Sequence, residues 1–373
     1  MSPTSKHPLD MPSRRTLLHS GLSLAVAGML QACSSPLRRP TPPTAAHPIM
    51  PLQNREISLL ACSGSLPSTT QRQHGVERLQ QAGFDVTNRQ AIDRQYQRFA
   101  GTDQERLQDL NQLIQRQDMP RMLLAGRGGY GACRLLQDID YQRLCPMLKE
   151  AGTQIMGYSD FTAIQLALLA KGGLGSFAGP MLYSDFGGRK LSPMTMQHFI
   201  QATTTENWTV ATPTPQTSTA TGEGIFWGGN LSVLSSLVGS PYLPEIRGGL
   251  LFLEDVGEQP YRLERMLQQL FLAGILQQQK AIFFGDFAMG RIVDAYDAGY
   301  TLDTVIAQIR SQLKIPVFTG IPFGHIHDKT TLPLGHPARF TANETGLTLT
   351  FSQYPIQPAS GLTLERLLME SPT

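Results

Sequence analysis

The chain has 373 residues, of which 41% are hydrophobic and 16% are charged, and its formal net charge at pH 7 is +2. This composition is typical of a folded globular protein rather than a disordered one, and the length allows two domains with a sizeable core. The small net charge gives no electrostatic reason to expect a nucleic-acid partner, so we expect none.

The N-terminus has the pattern of an export signal. An arginine pair, similar to a twin-arginine signal, lies in SRRTLLHS and precedes the apolar run GLSLAVAGML (Gly21–Leu30). The run is too short for a comfortable transmembrane helix and has the layout of a signal peptide. It leads to LQAC, where Ala32 precedes Cys33, as at the processing site of bacterial lipoproteins. We predict a signal peptide with lipobox at 1–33 and lipidation of Cys33; the alternative is an ordinary signal peptide with a chance cysteine.

A segment rich in proline and small polar residues, SSPLRRPTPPTAAHP, follows Cys33. Such a composition suits a tether between a membrane and a folded domain, which we place at 34–55. We therefore expect a periplasm-facing lipoprotein of the bacterial cell envelope, anchored to the membrane through lipid. Ser34 after the cysteine favours the outer membrane, and a cytoplasmic protein is the alternative.

The segment 56–195 alternates predicted strands and helices. Its elements are a strand in EISLLACSGS, a helix over Gln73–Phe84, a strand in DVTNRQ, a helix over Thr102–Gln115 with Thr102 and Glu105 as a capping box, and strand–turn–helix units in MPRMLLAGRGGYGACRLLQDID and QIMGYSDFTAIQLALLA. This alternation predicts a parallel α/β sheet. We expect a Rossmann- or flavodoxin-like domain.

The pattern changes near Pro193–Pro215, where the segment TTTENWTVATPTPQTSTATGEG is rich in Thr, Pro and Gly, and we place a domain junction at about 190–210. Short apolar runs then predict strands, with one clear helix among them. The runs are Gly248–Val256, Lys280–Phe287, Ile315–His325 and Leu347–Tyr354, and the helix is Pro260–Leu276. We expect 205–373 to form an α+β, strand-rich second domain.

Ser159 lies where a predicted strand becomes a helix, in GYSDFTAIQLALLA. Serine and aspartate are preferred at helix starts, so this stretch alone favours a helix N-cap. The alternative is a nucleophile on a strained strand-to-helix turn, with helix N–H groups behind its hydroxyl.

GRGGYGACRLL contains glycines after a strand and could bring backbone N–H groups to an anion. It is not GxGxxG and no GK[ST] follows, so a structural glycine turn is favoured over nucleotide binding. Half of an oxyanion hole is a third interpretation.

Two further signals come from the second half of the chain. Glu254 and Asp255 lie at a predicted strand end, and FGHIHD places His325 and His327 two positions apart. The histidine pair could be half of a metal site, but no third ligand has suitable spacing, so we expect no metal. Ser159, Glu254 and His325 together supply the three parts of an acyl-transfer triad, although spacing alone does not bring them together.

Seven ordered motifs resemble those of the L,D-carboxypeptidases of bacterial cell-wall recycling. They are RGGYGACRLL, GYSDFTAIQ, FAGPML, WGGNLSVLSSLVGSP, LFLEDVGEQPYRLERMLQQL, AYDAGY and FGHIHDKTTLPLG. The resemblance runs from about Ile57 to the C-terminus. It implies a serine peptidase without cofactors that removes the terminal D-alanine of a muropeptide tetrapeptide, cutting after the L-centre of diaminopimelate or lysine. It also implies a homodimer.

The resemblance assigns roles to particular residues. Ser159 matches the nucleophile, Glu254 the triad acid and His325 the base, while the N–H groups of Asp160 and Gly129 match the oxyanion hole. Because Ser159 precedes the junction and the other two follow it, we expect the active site between the domains.

Three residues of these motifs, Tyr130, Trp227 and Asn230, are predicted to contact the substrate. For Trp227, packing at the domain interface is an equal alternative. Arg127 is expected to brace the glycine turn rather than to meet a substrate carboxylate.

The export signal departs from the well-known members of this family, which work in the cytoplasm, and it leaves both free muropeptides and polymeric murein open as substrates. Two other functions stay open from the sequence. One is an L,D-endopeptidase acting on murein crosslinks, and the other is a non-catalytic, envelope-anchored protein that binds muropeptides.

Overall fold

The computed structural model describes residues 54–358 and 361–369. The predicted signal peptide at 1–33, the lipidation site Cys33 and almost all of the predicted tether at 34–55 lie outside these residues. All described residues belong to one compact unit. None of the helices in this part of the chain is long and apolar enough to cross a membrane.

Strands and helices alternate through the first half of the described chain. They are β1 (Glu56–Leu60), α1 (Thr69–Gln81), β2 (Asp85–Thr87), α2 (Asp103–Asn111), β3 (Met122–Ala125), α3 (Tyr141–Glu150), β4 (Gln154–Gly157), α4 (Thr162–Gly172), β5 (Ser176–Ala178) and α5 (Pro193–Thr204). Thr102 and Glu105 form the predicted capping box of α2. A helix was expected directly after the glycine turn, but Ala132–Asp138 form a 3₁₀ turn. The α-helix that follows, α3, begins separately with Asp140 as its N-cap.

The second half of the described chain is richer in strands. Its elements are β6 (Trp208–Thr212), β7 (Ala220–Asn230), α6 (Leu231–Ser236), β8 (Leu250–Glu254), α7 (Pro260–Leu272), β9 (Ala281–Phe284), α8 (Leu302–Gln312), β10 (Val317–Phe318), β11 (Leu332–Leu334), β12 (His336–Asn343), β13 (Gly346–Phe351) and α9 (Leu364–Leu368). Sequence patterning predicted β8, β9, β13 and α7 in this half and missed the other elements apart from β10. The apolar run Ile315–His325 yields only the two residues of β10.

The described strands form two sheets. The first sheet has the order β11-β5-β4-β3-β1-β2, in which β1 to β5 are parallel and β11 is antiparallel to β5. The order 2-1-3-4-5 is that of flavodoxin-like folds, in which ligands bind at the carboxyl ends of the strands. The loops after β3 and β4 both leave that edge, so the glycine turn lies beside Ser159.

The second sheet has the order β10-β9-β8-β7-β12-β13-β6 and is mixed. Strands β7 to β10 are parallel, whereas β7, β12, β13 and β6 pair antiparallel. Glu254 is the last residue of β8 and pairs with Asn230, the last residue of β7. The fold class expected from the sequence is confirmed; β11 joins the first sheet although it belongs to the second half of the chain.

Helix α4 lies in the core between elements of both halves. It is buried from Thr162 to Leu168, as expected for a helix that is apolar on all sides. It packs against α3 of the first half and against α6 and β7 of the second. The turn that carries Ser159 is therefore followed directly by a buried helix that is packed on both sides.

Candidate active site

Ser159 occupies a strained turn between β4 and α4. Tyr158 is extended, and Ser159 then takes a φ of 63° before a 3₁₀ turn over Ser159–Phe161 leads into the helix. The left-handed conformation costs a residue other than glycine roughly 1–2 kcal/mol, so a serine holds it only where packing enforces it. Neither the 3₁₀ turn nor α4 has a side-chain hydrogen bond at its N-cap. The N-cap interpretation therefore does not describe what the Ser159 hydroxyl does.

The hydroxyl of Ser159 instead contacts His325. Ser159 Oγ lies 3.0 Å from His325 Nε2, and His325 Nδ1 lies 2.9 Å from Glu254 Oε2. A carboxylate only accepts hydrogen bonds, so Nδ1 carries the ring proton and donates it to Glu254. Nε2 is then free to accept the hydrogen bond of Ser159. The Glu254 side chain is 1% exposed and that of His325 is 21% exposed, so the chain of bonds runs from the core to the surface.

The glycine before His325 is required by the backbone. Gly324 has a φ of 155°, and a Cβ atom there would lie 2.5 Å from the carbonyl oxygen of Asp286. The loop that carries His325 can therefore approach the loop after β9 only with glycine at this position.

Asn230 holds Glu254 from the side. Its amide nitrogen lies 3.2 Å from both Glu254 Oε1 and Asp255 Oδ1, and its own side-chain oxygen accepts the N–H of Val233. Its backbone N–H donates to Thr162 Oγ1 at the start of α4. Asn230 is 5% exposed and positions the carboxylate partner of His325, while its contact with the substrate stays a prediction.

Asp255, the second acid that Asn230 contacts, is held in turn by Ser232. Its Oδ2 accepts hydrogen bonds from the backbone and the hydroxyl of Ser232, at 2.8 Å and 2.6 Å. Burial raises the pKa of Asp255, and the charge of Glu254 adds to this rise while the bonds from Ser232 and Val256 oppose it. The paired acids at the strand end thus have different partners, since only Glu254 contacts the histidine.

Asp160, one of the two predicted oxyanion donors, directly follows Ser159. Its buried carboxylate accepts the N–H of Ala132 at 2.9 Å, which ties the nucleophile turn to the glycine turn. A Cβ on Gly128 would lie 2.6 Å from Ser159 Oγ and 3.5 Å from the Asp160 nitrogen. Gly128, rather than the predicted Gly129, is thus the glycine whose missing side chain leaves space at the hydroxyl. The oxyanion roles of Asp160 and Gly129 stay predictions.

A buried ion pair that sequence analysis missed lies on the other side of His325. Lys329 Nζ is 2.5 Å from Asp185 Oδ1 and 3.0 Å from Tyr158 Oη, and the two charged side chains are 3% and 6% exposed. The Tyr158 ring lies edge-on to the His325 ring, with centroids 5.1 Å apart. Lys329 lies four positions after His325 in the motif FGHIHDKTTLPLG, and this short spacing is the signal that could have placed Lys329 near the site.

The charges of this cluster are fixed by its contacts. Burial by itself lowers the pKa of Lys329, but the Asp185 carboxylate and the Tyr158 hydroxyl outweigh burial, and the pKa is raised. Burial raises the pKa of Tyr158 to about 12, with Asp185 adding to the rise and Lys329 opposing it. Lys329 is therefore a cation and Tyr158 a neutral phenol at neutral pH.

The remaining candidate residues lie in different surroundings. Tyr130 is 50% exposed, with the Arg98 guanidinium 5.5 Å from its ring centroid. Arg127 donates to the carbonyl oxygen of Ser65 at 2.7 Å, which braces the glycine turn. Trp227 is 1% exposed and donates to Gln279 Oε1, so packing in the core of the second sheet, beside Leu251 of β8, describes its side chain.

His327 does not join the triad. Its Nδ1 lies 2.8 Å from Asp328 Oδ1 and its Nε2 lies 3.1 Å from the carbonyl oxygen of Lys190, so both ring nitrogens already have partners. Among residues 54–358 and 361–369, no group of three or more His, Cys, Asp or Glu side chains is arranged to hold a metal ion.

Comparison with known proteins gives consistent matches along the chain. Residues 57–179 match the model of the LD-carboxypeptidase N-terminal domain and residues 223–340 match that of the C-terminal domain. A protein of Bacillus subtilis named "Probable murein peptide carboxypeptidase" is 31% identical over 72% of this chain and 84% of its own length. The murein tetrapeptide carboxypeptidase of Pseudomonas aeruginosa is 27% identical over 81% of this chain and 97% of its own.

A solved structure extends this likeness to three dimensions. The crystal structure of the muramoyltetrapeptide carboxypeptidase from Oxalobacter formigenes superposes with a TM-score of 0.74 at 38% sequence identity. The match covers 80% of this chain and 99% of that one.

Proposed function

The chain belongs to the LD-carboxypeptidase family, and we propose that it removes the terminal D-alanine from murein tetrapeptides. It is a serine-type carboxypeptidase, a hydrolase of an amide bond. The observation that carries the proposal is the hydrogen-bonded series from Ser159 through His325 to the buried Glu254. Relatives named for murein peptides support the choice of substrate.

In the first step, Ser159 Oγ attacks the carbonyl carbon before D-alanine. His325 Nε2 accepts the hydroxyl proton, and Glu254 stabilises the imidazolium that forms. The carbonyl oxygen becomes an oxyanion, for which we propose the N–H groups of Asp160 and Gly129 as donors. The C–N bond then breaks as His325 returns the proton to the leaving nitrogen. D-Alanine departs and the tripeptide remains as an ester on Ser159.

In the second step, water replaces the amine. His325 takes a proton from water, the hydroxide attacks the ester, and the proton returns to Ser159 Oγ as the tripeptide leaves. Preorganised donors toward the oxyanion typically contribute about 10²–10³ each to turnover, so the fixed glycine turn matters for both steps.

Product analysis tests this function. Purified muropeptide tetrapeptides and crosslinked dimers are incubated with the protein and resolved by mass spectrometry. We expect tripeptide and free D-alanine from the monomer. Cleavage confined to the crosslinks would favour the L,D-endopeptidase alternative, and binding without turnover would favour the non-catalytic one.

We further propose that the protein is a lipoprotein of the bacterial envelope that faces the periplasm from the outer membrane. The apolar run before LQAC, Cys33 and the adjacent Ser34 support this proposal. Cys33→Ser should abolish lipid labelling and leave the protein unprocessed or released. Recovery of wild-type protein in the cytosol with residues 1–33 attached would contradict it. Homodimerisation stays a prediction, which light scattering on the purified protein can check.

A further inference from the structure

A cavity of about 240 Å³ opens beside His325, on the side that carries the buried ion pair. Its lining includes Tyr158, Lys190, Ser192, Thr195, His325 and Lys329. Pockets for drug-sized ligands have about 300–1,000 Å³, so this volume suits a single small residue better than an extended peptide.

The chemistry of the proposed reaction places the leaving residue next to this cavity. His325 Nε2 must deliver a proton to the leaving nitrogen, which therefore lies within about 2.6–3.2 Å of it in the reactive complex. The residue that carries this nitrogen continues away from Ser159. Because His325 itself lines the cavity, the cavity is within reach of the leaving residue.

Two of the charges around the cavity are already compensated. Lys329 is paired with Asp185, and the Asp328 carboxylate accepts hydrogen bonds from Ser192 Oγ at 2.6 Å and from His327 at 2.8 Å. The ammonium group of Lys190 has no hydrogen bond or ion pair within the described residues, and the side chain is exposed at the cavity wall. Its charge adds to the hydrogen bonds from Ser192 and His327 in lowering the pKa of Asp328, but no carboxylate among the described residues is hydrogen-bonded to it. Lys190 is thus a cation that an anionic group of a ligand can bind.

The backbone of Lys190 is nevertheless held in place. Its carbonyl oxygen lies 3.1 Å from His327 Nε2, and His327 lies two positions after His325 on the same loop. This contact couples the rim of the cavity to the loop of the proposed general base. It also gives the second histidine of GHIH a role that does not require a metal.

We propose that this cavity is the subsite for the leaving residue and that Lys190 binds its free α-carboxylate. The inference rests on the proposed function and deepens it. In a crosslinked murein dimer the same carboxyl group is part of an amide and carries no charge. A lysine at this position therefore favours a free C-terminal D-alanine and disfavours the crosslink, which makes the enzyme a carboxypeptidase rather than an endopeptidase.

The test compares a tetrapeptide ending in D-alanine with the same peptide ending in D-alaninamide. kcat/KM is measured on both for the wild type, Lys190→Met, Lys190→Arg and the control Lys149→Met, an exposed lysine on α3 outside the cavity. Losing one charge-assisted hydrogen bond should cost about 10- to 100-fold. We expect the wild type to prefer the acid by this factor, and Lys190→Met to lose the preference by slowing only the acid.

Lys190→Arg should keep most of the preference, and Lys149→Met should match the wild type. Equal slowing of both peptides by Lys190→Met, or an unchanged preference, would overturn the subsite while leaving the proposed function intact. If the wild type cleaves neither peptide, the proposed function fails and the subsite with it. Thermal unfolding of each variant verifies that the exposed substitutions leave the fold unchanged.

Discussion

The Oγ atom of Ser159 and the Nε2 atom of His325 lie 3.0 Å apart, although the two residues are 166 positions apart in the chain. Ser159 follows a strand of the first sheet, and His325 lies on a loop of the second half. They meet because buried helix α4 packs against both halves directly behind the serine. The hydrogen-bonded series thus exists only when the two sheets are docked.

The backbone strain at Ser159 predicts an unusual stability order. Ser159→Gly should unfold at a higher denaturant concentration than Ser159→Ala, by about 1 kcal/mol in the free energy of unfolding. Glycine adopts a φ of 63° without the penalty that alanine incurs, and this outweighs its greater freedom in the unfolded chain. Urea unfolding of both variants measures the difference. An alanine variant as stable as the glycine variant would show that the turn is unstrained.

Gly128 should tolerate no side chain. In Gly128→Ala the new Cβ would lie 2.6 Å from Ser159 Oγ, so the hydroxyl must leave its position against His325. We expect turnover to fall by at least about 100-fold, since misplacing a reacting atom by about 1 Å costs that much. Gly126→Ala is the matched control, because its nearest contacts would be an ordinary 3.4 Å. Similar activity in both variants would contradict the packing at the serine.

Asn230→Ser separates positioning from substrate binding. Serine keeps the N-cap of α6 but cannot bridge Glu254 and Asp255. We expect kcat to fall about tenfold with KM nearly unchanged, because the lost bond orients the acid. A raised KM with unchanged kcat would return Asn230 to the substrate-binding residues. Trp227→Phe serves as the control and should keep both constants while losing some stability.

Removing one member of the buried ion pair should destabilise the fold. Lys329→Met leaves Asp185 buried without its cation, and we expect a loss of about 3–5 kcal/mol in the free energy of unfolding. Lys329→Met combined with Asp185→Asn should lose clearly less, since no uncompensated charge remains. Guanidinium unfolding of the single and double variants measures this. A double variant no more stable than the single one would show that the pair is not coupled.

The same cluster predicts a loss of stability at alkaline pH. The pKa values of Lys329 and Tyr158 are both raised, so above their ordinary values of 10.5 and 10.0 the unfolded chain releases these protons first. The folded state then binds more protons than the unfolded state, and stability falls as pH rises. The contribution is complete below about pH 10 and is lost toward pH 12. We expect a flatter profile of stability against pH for Tyr158→Phe than for the wild type; identical profiles would exclude Tyr158 as a source of the loss.

Local sequence patterns were sufficient to predict many of the helices and strands that support the site. The capping box of Thr102 and Glu105 correctly predicted the start of α2. The apolar run Gly248–Val256 predicted a strand with an acid at its end, and β8 ends at Glu254. These features depend on neighbours in sequence, which is why patterning finds them. The family resemblance, rather than any local pattern, chose Ser159 as a nucleophile over a helix cap.

Contacts between residues that are far apart in the chain could not be predicted from the sequence. The partner of Lys329 is 144 positions away, and Asn230 meets an acid on the neighbouring strand. Strand β7 was missed because it begins in a stretch read as a Thr- and Gly-rich junction, although threonine is β-branched and favours strands. In each case the deciding interaction is tertiary and leaves no periodic signal.

The release of D-alanine from a purified muropeptide tetrapeptide, measured side by side for the wild type and Ser159→Ala, tests the proposed mechanism most directly. We predict that the wild type converts tetrapeptide to tripeptide, and that the variant is slower by roughly 10⁴–10⁶ while its circular dichroism spectrum is unchanged. Activity of Ser159→Ala within about tenfold of the wild type would contradict a serine nucleophile, and intact tetrapeptide after incubation with the wild type would contradict the substrate itself.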